Sequence, residues 1–202
     1  MEIDLNRKEI KLSKKINGLD RFVLDFCSLL KDYVIVSGYV SILLGRSRAS
    51  EDIDLLIPKM PFEKFSALFE DLMSKGYECA NTSDVKEAYE MWDEYAMRFY
   101  KKNPLPNIEF KMITKDIQRT AFEERIKVIL GEKVLYISSL ELQIAYKLSL
   151  ISQGDFEEIS SDKDFEDAKH LYELFRDKLN KDKLIYYVRS LGVEEKWKWL
   201  QI

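Results

Sequence analysis

Flanking helices packed on a small mixed β-sheet, with a helical region closing the C-terminal side, form the α+β fold that three features predict. β-branched or alternating runs recur between amphipathic stretches as far as residue 137. From Ser138 onward only helical periodicity is present. The two patterns are segregated along the chain rather than strictly alternating. They divide it into an α/β core, residues 1–137, and a helical C-terminal subdomain, residues 138–202.

The Lys-rich start (Lys8, Lys11, Lys14, Lys15) reads as a solvated helix or a frayed arm. Leu19, Phe22, Val23, Phe26, Leu29 and Leu30 follow i, i+3, i+4 spacing, which predicts a helix over 18–31. Residues 33–37 are a β-branched run and predict a buried strand; Gly38 breaks it, and 39–44 predict a short buried helix. Residues 52–57 predict a second strand, stopped by Pro58. Phe62, Phe65, Leu68, Phe69 and Leu72 mark a helix with Pro61 at its start and Gly76 beyond its end. A short strand is expected over 77–81 and a helix over 84–93, capped by Ser83. Residues 95–100 and 108–113 read as strands joined by a KKNPLPN turn; 125–130 and 133–137 form a hairpin about Gly131-Glu132. Ser138 and Glu141 have capping-box spacing at the head of a helix reaching Ile151. QGDFEEIS is a polar break, and helices follow over 162–179, 181–191 and 194–200.

The chain of 202 residues is 46% hydrophobic and 12% aromatic, enough for a core and incompatible with disorder as the dominant state. Its 32 basic residues against 36 acidic ones leave a net charge of −4, which argues against coating nucleic acid by bulk charge. An enzyme that grips an anionic substrate through local groups or a bound metal is not excluded. Seven Gly and four Pro rule out fibrous and low-complexity classes. Cys27 and Cys79 form no C-x-x-C pair, so neither a disulfide framework nor a cysteine zinc site is expected. The charged N-terminus does not resemble a signal peptide, and the apolar stretch 33–45 is too short and broken to span a bilayer. A cytoplasmic protein with no membrane partner is the expectation.

Residues 36–57 carry the chemistry. A strand ends in Ser37-Gly38 and a helix begins at once, so backbone N–H groups, a small hydroxyl and an absent side chain together offer a phosphate site. Asp52 and Asp54 sit at i and i+2 of a strand, on one face with Cα atoms roughly 7 Å apart. Ile53, Leu55 and Ile57 point the other way. Two converging carboxylates suit a hard divalent cation such as Mg²⁺ or Mn²⁺, and Arg48 just upstream suits a polyphosphate. The competing account is a solvated edge, which leaves unexplained why like charges repeat on one face. In the strand around Ile108, Glu109 and Lys111 share a face; beside 52–57, Glu109 would join the aspartates. Three such carboxylates hold two metals roughly 3.5–4 Å apart, the arrangement used for phosphoryl or nucleotidyl transfer. One metal lowers the pKa of an acceptor hydroxyl, and the third carboxylate can take its proton. An ordinary solvent-facing Glu beside a Lys is the alternative.

The pattern Ser-Gly-Tyr, Gly-x-x-Arg-x-Ser-x-Asp-Ile-Asp, then a hydrophobic–acid–hydrophobic strand resembles the polymerase-β-type nucleotidyltransferase superfamily, and within it the AbiEii-like toxin nucleotidyltransferases. The resemblance implies transfer of a nucleoside monophosphate from an NTP to a hydroxyl with Mg²⁺ or Mn²⁺. It implies metal ligation by Asp52, Asp54 and Glu109, and nucleotide binding by Ser37, Gly38, Arg48 and Ser50. The family's first motif is usually Gly-Gly or Gly-Ser where this chain has Ser37-Gly38, and its third acid is usually Asp where this chain has Glu109. The relatives also carry a Lys on a helix after the sheet and a Lys-Asp pair opening the next helix, which match Lys147 and Lys163-Asp164, with Asp167 beyond. Lys147 would neutralise the triphosphate and Asp164 would orient Lys147 or the base; a charged helix face is the alternative for these three. The acceptor is a tRNA end, a protein hydroxyl or a small molecule, and an antitoxin partner is implied if the protein is a toxin. The rival function is a nucleotide-binding module of the same fold without transfer activity. His170, the single histidine, reads as a surface or interface residue, and Trp92, Trp197 and Trp199 as core or interface. No Walker A loop, Rossmann fingerprint or Ser-His-Asp set is evident.

Overall fold

The computed structural model describes residues 1–50, 52–152 and 154–201, so Glu51 of the central motif, Gln153 of the polar break and Ile202 lie outside the described residues. The core runs β1 (Glu2–Asp4), β2 (Glu9–Leu12), α1 (Gly18–Cys27), β3 (Val34–Val36), α2 (Gly38–Leu43), β4 (Asp52–Ile57), α3 (Phe62–Ser74), β5 (Glu78–Cys79), α4 (Val85–Met91), β6 (Met97–Lys101), β7 (Asn103–Met112), α5 (Asp116–Glu123), β8 (Ile126–Leu130) and β9 (Lys133–Ile137). Five further helices follow: α6 (Leu140–Leu150), α7 (Phe156–Ser160), α8 (Lys163–Phe175), α9 (Lys181–Ser190) and α10 (Glu194–Leu200). The described strands form one mixed nine-stranded sheet in the order β1-β2-β8-β9-β3-β4-β7-β6-β5. Pairs β2–β8, β3–β9 and β4–β7 are parallel, and the rest are antiparallel.

The fold class matches the expectation, with a sheet larger than anticipated because two stretches behave differently. The Lys-rich start is neither helix nor frayed arm. Ile10 is fully buried while Glu9 and Lys11 ladder against Lys127 and Ile129, so β1 and β2 extend the sheet edge. Period-2 alternation in EIKL is the signal, masked by the lysines. KKNPLPN is likewise not a turn. Lys102 alone turns the chain, at φ 68°, and Asn103 already belongs to β7. The register slips between Tyr100 and Lys101, so Pro104 and Pro106 fall in the bulge, where their missing N–H groups remove no ladder bond.

Two caps also differ. Asp84 rather than Ser83 caps α4, accepting from the Glu87 N–H at 2.8 Å. At the head of α6 no capping box forms: Ser138 Oγ donates to Gln143 Oε1 at 2.9 Å, and Glu141 Oε1 accepts from the Asn180 N–H. Both residues are diverted from the helix end to tertiary anchoring. Part of the polar break is helical as α7, whose N-terminus Asp155 caps through the Glu158 N–H.

One face of β4, β7 and β6 is sealed by an aromatic layer. Phe26, Phe65, Trp92, Phe99 and Phe110 are each 2% exposed or less. Trp92 stacks on Phe110 with centroids 5.2 Å apart and donates its indole N–H to the Phe110 carbonyl at 3.2 Å. Ile53 and Leu55 point into this core from β4 and are fully buried. By strand alternation, Asp52 and Asp54 must then emerge on the opposite face. The SGY segment is anchored from below: Tyr39 is fully buried, and its hydroxyl donates to Asp20 at 3.0 Å, inside the capping box of α1. No helix among the described residues is long and apolar enough to cross a membrane.

Candidate active site

Parallel pairing of β4 with β7 sets Asp52 opposite Asn107, Asp54 opposite Glu109 and Leu56 opposite Lys111. Asp52, Asp54 and Glu109 therefore share one face of two adjacent strands, as the sequence spacing requires. Their partners are cationic or amide groups. Asp52 Oδ1 accepts from Asn107 Nδ2 at 2.7 Å. The Lys111 ammonium lies 2.5 Å from Asp54 Oδ1 and 2.5 Å from Glu109 Oε2, and Arg98 of β6 donates to Glu109 Oε1 at 2.8 and 3.1 Å. Burial works against the charged form of Glu109, but Lys111 and Arg98 prevail and hold its carboxyl below the usual range. For Asp54 burial dominates and pushes the carboxyl up, with Lys111 opposing. Burial also opposes the charge on Lys111, yet Asp54 and Glu109 outweigh it and raise its pKa.

Among the described residues no three carboxylate, histidine or cysteine side chains converge as a ready metal cage. Asp52 and Asp54 nonetheless fit one divalent cation. Beside them, Asn107 is only 6% exposed, and its Oδ1 is buried with no hydrogen-bond partner among the described residues. A buried orphan acceptor is costly and points to a missing donor or cation.

Ser37 has φ 63° and ψ −140°, a backbone that favours glycine. Gln143 of α6 holds it, donating from Nε2 to the Ser37 carbonyl at 2.8 Å and accepting the Ser37 N–H at 3.2 Å. The Ser37 N–H is thus already occupied. With six residues, α2 is also shorter than a phosphate-binding helix needs to be to build a strong dipole.

Gly38 is glycine for a reason the sequence did not disclose. A Cβ there would lie 2.1 Å from Nη2 of Arg48, whose guanidinium covers the position. Arg48 is held bidentately by Asp167 of α8, from Nε at 3.1 Å and Nη2 at 2.9 Å, with Nη1 donating to the Ala49 carbonyl. Two of its five N–H donors have no partner among the described residues. Asp167 is fully buried and also pairs with Arg46 and, at 2.8 Å, with Lys147. Lys147 is itself 1% exposed and reaches Asp164 at 2.5 Å. Burial opposes ionisation of Asp167, but Lys147, Arg46 and Arg48 together hold its carboxyl below the usual range.

The structure thus builds two clusters from the expected residues. Ser37, Asp54 and Lys111 line a cavity of about 280 Å³, closed by Ile117, Gln118, Leu142, Gln143 and Tyr146. Arg48 and Ser50 line a separate, more open cavity with Phe22, Lys101 and Pro106, and Ser50 Oγ donates to the Asp52 carbonyl. Lys147, Asp164 and Asp167 form the buried joint behind Arg48. Sequence reasoning missed Asn107, Arg98, Gln143 and Arg46. Alternation on β7 places Asn107 on the same face as Glu109, and Gln143 stands one turn before Lys147 on a largely apolar helix; both signals were available. Arg98 stands opposite Glu109 across the antiparallel β6–β7 pair, so the expected strand pair offered a signal for it as well, whereas the pairing of Arg46 with Asp167 is long-range and left none. His170 Nε2 lies 3.3 Å from the Leu44 carbonyl.

No family model matches the chain, and no curated protein matches it. Among solved structures it resembles an antigenic nucleotidyltransferase-like protein from Paracoccidioides brasiliensis, with a TM-score of 0.53 and 17% identity over 89% of this chain and 88% of that one. At that identity the likeness establishes the fold: this chain has a nucleotidyltransferase-like fold.

Proposed function

We propose that the protein is a metal-dependent nucleotidyltransferase that moves a nucleoside monophosphate from an NTP to a hydroxyl acceptor. One observation carries the reading. In a chain of nucleotidyltransferase-like fold, Asp52, Asp54 and Glu109 stand on one face of two paired strands, and Asp54 lines a cavity together with Ser37 and Lys111. Asp52 and Asp54 would hold Mg²⁺ or Mn²⁺. When bound, the cation would neutralise triphosphate charge and lower the pKa of the acceptor hydroxyl.

The chain's own groups do the rest. Ser37, pinned by Gln143, fixes the edge of the cavity. Leu142 and Tyr146 offer an apolar wall to a base or sugar, with Gln118 as a polar contact. Arg48 presents to phosphate the two N–H donors that no described residue takes, while Asp167 keeps its guanidinium in place. Lys147, buried and bound by two aspartates, positions this apparatus rather than touching phosphate. The acceptor hydroxyl belongs to an RNA end, a protein or a small molecule, and a toxin role with an antitoxin partner goes with the AbiEii-like resemblance. A second reading, a nucleotide-binding module without transfer, is favoured by the capture of Glu109 by Lys111 and Arg98.

Thermal shift with each NTP and Mg²⁺ tests the site that both readings share. At 100 times Kd a bound nucleotide stabilises by about 2.7 kcal/mol, or roughly 5–11 °C for a domain of this size. The shift is expected only with the metal present and is absent in Asp52→Ala/Asp54→Ala. A nucleotide shift that survives the double substitution overturns the assignment of the site.

A further inference from the structure

From the position of Lys111 we infer that this chain supplies its own cation between Asp54 and Glu109, so that the site takes one divalent metal ion rather than two. The inference rests on the nucleotidyltransferase reading and goes beyond it by fixing the metal stoichiometry. Three observations carry it. Lys111 is two residues beyond Glu109 on the same face, and its Nζ is within 2.5 Å of both carboxylates, the place a bridging second metal would take. Glu109 is not left to a metal on its other side either, because Arg98 Nε and Nη2 both reach Oε1. Along this row of side chains the vacancy lies at the far end, where the buried Asn107 Oδ1 has no partner among the described residues beside Asp52.

The charge balance agrees. Asp52, Asp54 and Glu109 face two fixed cations, Lys111 and Arg98, and one net negative charge remains. A second divalent ion would have to expel a part-buried ammonium from two direct ion pairs, which is unfavourable unless both carboxylates are recovered in good geometry. With one metal at Asp52 and Asp54, Lys111 remains to neutralise the inner half of the site.

The test counts bound Mn²⁺ by electron paramagnetic resonance, with an α,β-methylene NTP analogue at saturation. The wild type and Lys111→Arg, which keeps the charge, are each expected to bind one Mn²⁺ per chain. Lys111→Met is expected to bind two, and to recover with Mn²⁺ the thermal stability that it loses without it. Two Mn²⁺ in the wild type, or a single site persisting in a folded Lys111→Met, overturns the inference while leaving the nucleotidyltransferase reading intact. If Lys111→Met fails to fold even with Mn²⁺, the promised rescue has failed, which also counts against it. No Mn²⁺ and no analogue binding in any variant overturns both.

Discussion

Replacing Asp167 by Asn removes one negative charge from the point where three cations meet, with no change in shape. Asp167 is fully buried and accepts from Arg46, Arg48 and Lys147. Removing one member of a buried ion pair costs about 3–5 kcal/mol, because the partner left behind is desolvated and unpaired. The surroundings favour the lower end. Arg46 keeps the Lys163 carbonyl and Glu166, Lys147 keeps Asp164, and the two arginine side chains are 14% and 18% exposed. A loss of about 3 kcal/mol corresponds to a fall in Tm of roughly 6–12 °C, read by calorimetry at pH 7. Asp164→Asn is the internal comparison. Among the described residues the Asp164 carboxylate pairs with Lys147 alone, and its side chain is 14% exposed, so its loss is expected to be less than half as large. A fall below about 3 °C for Asp167→Asn, or equal falls for the two variants, would refute the claim that Asp167 is the hub joining α8 to α6 and to the connection between α2 and β4.

Gly38→Ala drives a Cβ into the Arg48 guanidinium and is expected to cost about 1–3 kcal/mol; in an Arg48→Ala background the cost should largely vanish, and an undiminished cost in that double-mutant cycle would remove Arg48 as its cause. Ser37→Gly relieves a positive φ while keeping both backbone bonds to Gln143, so a gain of about 1 kcal/mol is expected in chemical denaturation, and a loss of stability would contradict the strain. Asp167 and Glu109 both have depressed folded pKa values, so the unfolded state binds more protons as pH falls and stability rises with pH in that window. The contribution is complete above the unfolded values near 4 and is lost progressively as pH falls from there through the lower folded values. In urea titrations from pH 6 to pH 2.5 the stability gap between wild type and Asp167→Asn should therefore close, and a gap independent of pH would contradict the assignment.

Most of the sheet was legible in the sequence because its strands bury one face and expose the other. Ile53 and Leu55 against Asp52 and Asp54 gave β4 with its end points, and Ile108, Phe110 and Met112 against Glu109 gave the inner half of β7. What escaped was decided by partners distant in the chain. β2 reads as a basic arm until β8 lies beside it, and the proline-bearing half of β7 reads as a turn until the bulge shows that it forfeits no ladder bond. The capping-box residues at Ser138 and Glu141 met the spacing rule but found stronger partners in Gln143 and the Asn180 backbone.

At the site, residue types and faces were readable and pairings were not. Nothing in the spacing of Arg48 and Asp167, 119 residues apart, says that a carboxylate holds the arginine expected to clamp phosphate. Lys111 was visible beside Glu109, yet only the register of β7 on β4 shows that it reaches Asp54 as well. Gly38 was credited to phosphate approach, whereas Arg48 is what lies against it.

Transfer of label from each α-labelled NTP, with Mg²⁺ or Mn²⁺, to total RNA and protein tests the central claim most directly. Wild type is expected to label one acceptor class with release of pyrophosphate, and Asp52→Ala/Asp54→Ala to label nothing. Equal labelling by both proteins would contradict the assignment of the two aspartates. An absence of labelling by the wild type, with NTP and metal bound, would contradict transfer and leave a nucleotide-binding module.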